Sequence, residues 1–383
     1  MGNSSRVRNV LIVGGNFYNQ GAYLMLTAAA RAVKERLRAR PILGLRVGDT
    51  TQKAAAGAGS LLSLNRVDFY PRGGKRTTLR RVKDKLPVVF ASDIDAVLDV
   101  SGFALSDQWS HLDLRSKAER FAWWSNEMGV PVYLLPQAFG PFEQTAVESE
   151  IALTAARFAF PRDPESLGFV TALLGDERSG HVVQAPDFTV LLSPDALPPR
   201  FDHLRGAVPI VPNWNIAQRC SVEEREQYIE NLARYVRSAR DHGLAAYGLC
   251  HEGARDLDLL KLVDTKVNGL EIVAGVDGLE SKALLGVAAF TVSGRFHALV
   301  SALSQGVPAV THGWSHKYKW LAEDFDVVEL LRNPYEAAAA KYDVELLLSN
   351  MSERRQRIGQ AATTIKHQAD QMWRRVEQDF SFR

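Results

Sequence analysis

Thr291-Val-Ser-Gly-Arg-Phe-His-Ala-Leu-Val-Ser-Ala-Leu-Ser-Gln-Gly-Val-Pro-Ala-Val310 decides the fold. A short apolar run, Ala288-Ala-Phe-Thr-Val-Ser293, ends in Gly294, and a cation and an imidazole follow at Arg295 and His297. An amphipathic helix over 298–305 comes next and stops at Gly306, after which Val307-Pro-Ala-Val310 reads as another strand. Strand, loop, helix, strand is the unit of an open α/β sheet. Such sheets bind ligands outside the carboxyl ends of their strands, where helix N-termini turn free N–H groups and a positive dipole outward. Arg295 and His297 fall at that end, so the local chemistry favours an anion.

The same unit recurs along the chain. Val10–Val13 is a continuous aliphatic run, as a buried parallel strand requires, and the loop Gly14-Gly-Asn-Phe-Tyr-Asn-Gln-Gly21 leads into a helix over Ala22–Leu37. Further strands are expected at Pro41–Val47, Ala96–Val100, Val130–Leu135 and His181–Gln184, with helices at Arg115–Met128, Thr145–Ala156 and Pro164–Leu174. Ser193–Asp202 holds three prolines and little periodicity, which suits a linker. A second series restarts at Ala207–Val211. It runs through a helix at Val222–His242, a strand at Leu244–Leu249, a helix at Arg255–Val267, a strand at Leu270–Val273 and a helix at Leu279–Val287. The tail from Ser352 to Phe380 is helical, with Ile358, Ala361, Ile365, Ala369, Met372 and Val376 on one face.

Alternating strands and helices predict α/β with a mainly parallel sheet. The expected layout is two doubly wound Rossmann-like domains facing across a cleft, as in two-Rossmann (GT-B) glycosyltransferases. The N-terminal domain covers 1–195, on the acceptor side, and a C-terminal domain 205–350, on the donor side. A last helix over 351–383 packs back on the first domain. That architecture serves many activities and does not by itself choose one.

Bulk properties narrow the classes. A chain of 383 residues with 46% hydrophobic and 23% charged residues is globular and long enough for two cores. A net charge of +2 excludes a general electrostatic nucleic-acid binder. Two cysteines, Cys220 and Cys250, suit a reducing compartment and offer no metal-ligand spacing. No apolar run reaches the roughly 18 residues that span a bilayer, so a cytoplasmic protein is expected.

Further motifs carry candidate chemistry. The Gly14–Gly21 loop is neither a P-loop nor a dinucleotide fingerprint, yet it puts backbone N–H groups, Gly15 and Asn19 at a strand-to-helix turn. It is read equally well as a ligand loop or a connection. In Ala159-Phe-Pro-Arg-Asp-Pro-Glu-Ser166, Asp163 is a natural N-cap with Pro164 behind it. Arg162 is a cation where the helix dipole disfavours one, which points to a ligand. His251 and Glu252 close another predicted strand, and Lys317 and Lys319 follow the strand after the Arg295 unit. His312 and His316 form a metal-like pair without a carboxylate cluster, so no metal is expected. Arg72–Lys85 carries seven cations against Asp84. The run reads as a solvated face, or more sharply as a patch for a phosphorylated or lipid-linked acceptor or for peripheral contact with the inner membrane face.

Together these pieces resemble the polysaccharide pyruvyl transferase family. The resemblance rests on the Gly-Gly-Asn opening with Asn19-Gln-Gly-Ala22, on Val100-Ser-Gly-Phe-Ala104 and on Leu135-Pro-Gln-Ala-Phe-Gly-Pro-Phe142. It extends to Arg162-Asp-Pro-Glu-Ser166, Ala185-Pro-Asp187, and Ser293-Gly-Arg-Phe-His297 with Gly306-Val-Pro308. It implies transfer of the carboxyvinyl group of phosphoenolpyruvate onto two hydroxyls of a sugar, forming a pyruvate ketal, with phosphoenolpyruvate as co-substrate and no cofactor. It also implies that Arg162, Arg295 and His297 hold the donor, Arg295 and His297 acting in catalysis, while Lys317 falls where members often carry lysine. Phe296, Gly15, Asn19 and His251 complete the expected substrate-binding set.

Three departures stand out: Ala22 replaces an acid, Ser101-Gly102-Phe103 a glycine triplet, and Phe296 a leucine. The general base stays open among Asp107, Asp99 and His251. Two other readings share the architecture, a sugar-nucleotide glycosyltransferase and a non-catalytic glycan-binding protein. Helix 298–305 lacks the glutamate that would hold a donor ribose, which disfavours the first.

Overall fold

A computed structural model describes residues 6–44, 46–61 and 88–382; the Arg72–Lys85 run lies outside them. The chain divides into two compact units, the first of 1–17, 25–188 and 370–383, the second of 18–24 and 189–369. Each is a parallel sheet with helices around it, so the two-Rossmann expectation is met.

In the first unit the strands are β1 (Asn9–Val13), β2 (Arg40–Gly44), β3 (Gly59–Leu61), β4 (Val88–Val89), β5 (Ala96–Asp99), β6 (Val132–Gln137) and β7 (Phe158–Pro161). Their order is β4-β3-β2-β1-β5-β6-β7, and every pairing is parallel. The second unit holds β8 (Val208–Val211), β9 (Ala246–Leu249), β10 (Glu271–Val273), β11 (Thr291–Ser293), β12 (Ala309–His312) and β13 (Leu331–Arg332). Here the order is β10-β9-β8-β11-β12-β13, again all parallel. The strand order therefore reverses direction between β1 and β5 in the first sheet and between β8 and β11 in the second. Those two points are where an open α/β sheet leaves a crevice for ligands.

Local chemistry explains the boundaries. The helix Pro164–Leu174 starts where expected, because Asp163 accepts the Ser166 N–H at 2.7 Å and Pro164 has no N–H that would need an acceptor. The helix Val222–Asp241 opens on a capping box between Ser221 and Glu224. The expected strand at His181–Gln184 does not form: Val182 makes a single bridge to Ala159 beside β7. Backbone bonds from Ala159 to His181, from Val183 to Ala159 and from Ala185 to Pro161 still hold the segment along β7. The helix expected over 115–128 starts earlier, at His111, where Ser110 caps it, and ends at Ala122 in a π turn over Trp123–Glu127. Asp107, one of three candidate bases, is bound structurally. Its carboxylate accepts the N–H groups of Glu143, Gln144 and Thr145 at 2.7, 3.1 and 3.0 Å and the Thr145 hydroxyl at 2.7 Å. Burial would raise its pKa, but the four hydrogen bonds outweigh that and hold it below the ordinary value. An acceptor tied this fully is a poor base, and the role does not pass to it.

The last helix, Met351–Ser381, buries Ile358, Ile365 and Ala369 in the core of the second unit. Its residues from Asp370 onward belong to the first unit. There Tyr133 donates to Asp379 at 2.7 Å, Arg36 pairs with Asp370 at 2.6 Å, and Arg8 stacks on the Phe380 ring. Among the described residues no helix is long and apolar enough to cross a membrane, and no cluster of His, Cys, Asp or Glu is arranged to hold a metal. Cys220 and Cys250 are free thiols.

His312 shows what the second core tolerates. It ends β12 fully buried, its ring against Tyr228 and Tyr235 at 5.7 and 5.8 Å. Burial lowers its pKa to about 4, with Arg332 acting the same way and Asp343 opposing. A base depressed in the fold stabilises it while neutral, and that contribution is lost as pH falls from 6.5 toward 4. We expect the unfolding free energy of the wild type to fall over that window by about 3 kcal/mol more than that of His312→Leu. Urea unfolding of both proteins at pH 7 and pH 4.5 measures this; parallel losses would remove His312 from the account.

Candidate functional site

The second unit concentrates most of the expected site residues at its switch point. β11 delivers Arg295 to the start of the helix Phe296–Leu303, whose N-terminus no side chain caps. Ser293 fixes the turn by accepting the Arg295 N–H at 2.9 Å, while Asn213 and Tyr318 donate to the Gly294 carbonyl at 2.6 and 2.8 Å. The helix then has little choice of direction, with Arg295 at its N-cap and His297 in its first turn.

Arg295 is buried and already paired. Its Nε donates to Asp256 at 2.9 Å and Nη2 closes the fork on the same carboxylate, while Nη1 contacts Glu252. Burial works against its charge, yet the Asp256 and Glu252 carboxylates outweigh that and hold its pKa above the ordinary value. Asp256 is in turn fixed by the Trp214 N–H at 3.0 Å and is fully buried, whereas the Glu252 side chain is 35% exposed. The two acids therefore differ: Asp256 orients the guanidinium, and Glu252 occupies the outward Nη1.

His251, next to Glu252, is buried, and among the described residues its Nε2 has no hydrogen-bond partner. Its pKa lies well below the ordinary value, first from burial and then from the charges of Arg295 and His297. An imidazole kept neutral beside a cation is a hydrogen-bonding group for a ligand rather than a second positive charge. Lys317 lies over the rings of Trp314, Tyr318 and Phe296, 5.0, 5.5 and 5.7 Å from their centroids. Lys319 is an exposed partner of Glu323 at 3.9 Å.

Residues 18–24 also belong to this unit. Gln20 donates to the Val276 carbonyl at 3.0 Å, and Gly21 lies so close to His297 that a Cβ there would sit 2.4 Å from Nδ1. Glycine is required at 21 for that approach. Asn19 accepts the Ala22 N–H at 3.1 Å and so caps the helix that follows.

His251, Arg295, Phe296, His297, Lys317 and Asn19 are thus in one unit. Gly15 and Arg162 belong to the other. Arg162 is buried at the end of β7, where its Nη1 pairs with Asp187 at 3.1 Å. The charge that looked misplaced against the helix dipole is therefore matched by the acid of the Ala185-Pro-Asp187 motif. Asp256 was missed in the sequence reading, although a signal existed: Asp256, Leu259, Leu260 and Val263 share one helical face, and an acid on an apolar face needs a partner.

The first unit has its own charged cluster at the β1/β5 switch point. Asp99, fully buried, accepts Ser101 Oγ at 2.6 Å and Gln137 Nε2 at 3.1 Å, and pairs with Lys117 at 3.1 Å. Nothing in the sequence marked Lys117, which lies on a helix of mixed polarity.

Comparison with solved structures shows the fold. A UDP-N-acetylglucosamine 2-epimerase matches with a TM-score of 0.62 at 9% identity, covering 99% of this chain and 98% of its own. The S. aureus MnaA–UDP structure gives 0.58 at 12% identity, covering 94% and 95%. The Neisseria meningitidis UDP-GlcNAc 2-epimerase bound to UDP-GlcNAc gives 0.56 at 10%, covering 94% and 99%. A search of curated proteins finds no match to the chain. The sequence profile of the polysaccharide pyruvyl transferases, by contrast, aligns with residues 6–316, from before β1 to just past β12. The chain belongs to the polysaccharide pyruvyl transferase family.

Proposed function

We propose that this protein moves the carboxyvinyl group of phosphoenolpyruvate onto two hydroxyls of a sugar in a glycan or glycolipid precursor, forming a pyruvate ketal and releasing phosphate. The observation that carries the reading is Arg295, locked by Asp256 at the β8/β11 switch point beside His297 and the buried, unpartnered Nε2 of His251. Asp256 holds Nε and Nη2 of the planar Arg295 guanidinium, which leaves Nη1 to meet a carboxylate or phosphate oxygen with a charge-assisted hydrogen bond. Lys317 adds a compact charge, and the positive end of the dipole of the helix Phe296–Leu303 favours an anion there. His297 supplies the proton that the vinyl carbon gains, and the cations stabilise charge on the departing phosphate. Arg162, the further guanidinium that the family motif assigns to the donor, is buried in the other unit. We propose that the reaction takes place on the cytoplasmic side, on a soluble or lipid-linked acceptor.

The Arg295 guanidinium faces two carboxylates, Asp256 and Glu252. A multiply charged anion then binds best if Glu252 withdraws from Nη1, and its partial exposure makes that withdrawal possible. Glu252→Gln should therefore tighten phosphoenolpyruvate by roughly tenfold, or about 1.4 kcal/mol. Thermal-shift titration measures this, because a ligand that prefers the folded state raises its stability. The same titration tests the function. Stabilisation by phosphoenolpyruvate supports it. Stabilisation by UDP-N-acetylglucosamine instead would favour a sugar-nucleotide enzyme, and response to an oligosaccharide alone would favour a glycan-binding protein.

A further inference from the structure

The first unit holds a second cluster of titratable groups at a ligand-binding position, and the donor site leaves it unused. β1 and β5 pair side by side at the reversal of strand order, and their carboxyl ends present Gly14 and the pair Asp99 and Ser101. Lys117 reaches this point from the helix His111–Ala122, with only 14% of its side chain exposed. Its Nζ contacts Ser101 Oγ and pairs with Asp99 Oδ1 at 3.1 Å, while Ser101 donates to the same oxygen at 2.6 Å. Gln137 donates to the other Asp99 oxygen at 3.1 Å, and its own buried Oε1 has no hydrogen-bond partner among the described residues. The backbone makes room for all of this. Gly14 has φ of +85°, and a Cβ there would come within 2.1 Å of Ser101 Oγ and 2.7 Å of Asp99 Oδ1.

A largely buried lysine, a buried carboxylate and a hydroxyl at the switch point make a set that handles protons. The orphaned Gln137 oxygen adds an acceptor that lacks a donor, and a hydroxyl group is a donor of the right kind. We infer that the Lys117–Ser101–Asp99 cluster is an acceptor site, at which the Lys117 amine takes the proton of a sugar hydroxyl. This rests on the pyruvyl-transfer reading. In that chemistry each of two hydroxyl oxygens forms a bond to the donor's central carbon. Of the two protons lost, one ends on the methyl group made from the vinyl carbon and the other leaves with phosphate. Lys117 is the way station for a hydroxyl proton, and Asp99 balances the ammonium that forms. Burial lowers the Lys117 pKa, with Asp99 opposing, so more of it stands as the free amine that can take a proton than is the case for a surface lysine. Asp99, a candidate base from the sequence, becomes the positioning group.

The experiment uses full-length protein labelled at the lysine ε-carbons, the Lys117 signal being the one lost in Lys117→Arg. We expect it to titrate at lower pH than the other lysines. A purely structural ion pair with Asp99 would instead titrate with or above them, and that result overturns the proposal whichever sugar is the acceptor. In phosphate-release assays on methyl glycosides bearing vicinal or 4,6-diols, Lys117→Met should reduce turnover on any sugar the wild type uses by roughly 10²- to 10⁴-fold. Stabilisation by phosphoenolpyruvate should be retained. Unchanged turnover in Lys117→Met would also refute the assignment. If the wild type fails to bind phosphoenolpyruvate, the pyruvyl-transfer reading falls, and the titration reports on Lys117 independently.

Discussion

Arg295→Lys is expected to weaken phosphoenolpyruvate binding by roughly 10²- to 10³-fold while leaving a folded protein. The charge survives the substitution, but the planar fork does not. In the wild type, Nε and Nη2 are committed to Asp256 and only Nη1 faces outward. A lysine ammonium in that position has one centre for two tasks, pairing with the buried acid or meeting the donor, and burial makes the pairing dominate. The truncation Arg295→Ala has a different consequence. It leaves Asp256 buried without its cation, which costs about 3–5 kcal/mol of stability, so loss of activity there would not separate binding from folding. Calorimetric titration of Arg295→Lys with phosphoenolpyruvate, alongside a urea midpoint, makes the distinction. A variant that folds normally and binds the donor as tightly as the wild type would show that Arg295 is a structural ion pair and nothing more.

That ambiguity marks where sequence reading stops. The alternation of aliphatic runs and amphipathic helices sufficed for the fold, because burial on both faces of a parallel strand leaves a pattern of consecutive apolar residues. β1, β5, β6, β8 and β11 all begin or end within two residues of where that pattern places them. The pieces without it were invisible: β4 and β13 have two residues each, and β3 has three. Pairing is harder still, since a side chain's partner is set by tertiary contacts. Arg162 and Arg295 look alike as cations at strand ends, and each proves to have a buried carboxylate in its own unit, Asp187 and Asp256. Asp187 stood inside a recognised motif and was read only as part of the motif. Sequence leaves the base open among Asp107, Asp99 and His251, and only tertiary contacts separate them: four hydrogen bonds to residues 143–145 make Asp107 a loop clamp. Lys117 was missed because a lysine on a half-polar helix gives no sign that it points inward.

Among the second-unit residues, His297 is expected to govern turnover rather than affinity. Its ring contacts Phe296 edge to face at a centroid distance of 5.5 Å, and Gly21 leaves room for it where any other residue would collide. Such packing orients an imidazole, and an imidazole is the side chain whose protonation changes most readily near neutral pH. In ketal formation a proton must reach the vinyl carbon before the first hydroxyl can bond, and no other side chain in this cluster suits the delivery. Lys317 is held over three rings, Arg295 does not release protons, and His251 is buried in its neutral form. His297→Asn preserves a hydrogen-bonding group of similar reach but cannot deliver a proton. We therefore expect turnover to fall by roughly 10²- to 10⁴-fold, with phosphoenolpyruvate affinity changed only a few-fold. In deuterated water the wild type should place deuterium in the ketal methyl group, and the variant should do so only at its reduced rate. Donor affinity falling in step with turnover would assign His297 to binding, and full turnover would remove it from the chemistry. The fold makes the two outcomes separable, because Asp256 holds Arg295 in place independently of the imidazole.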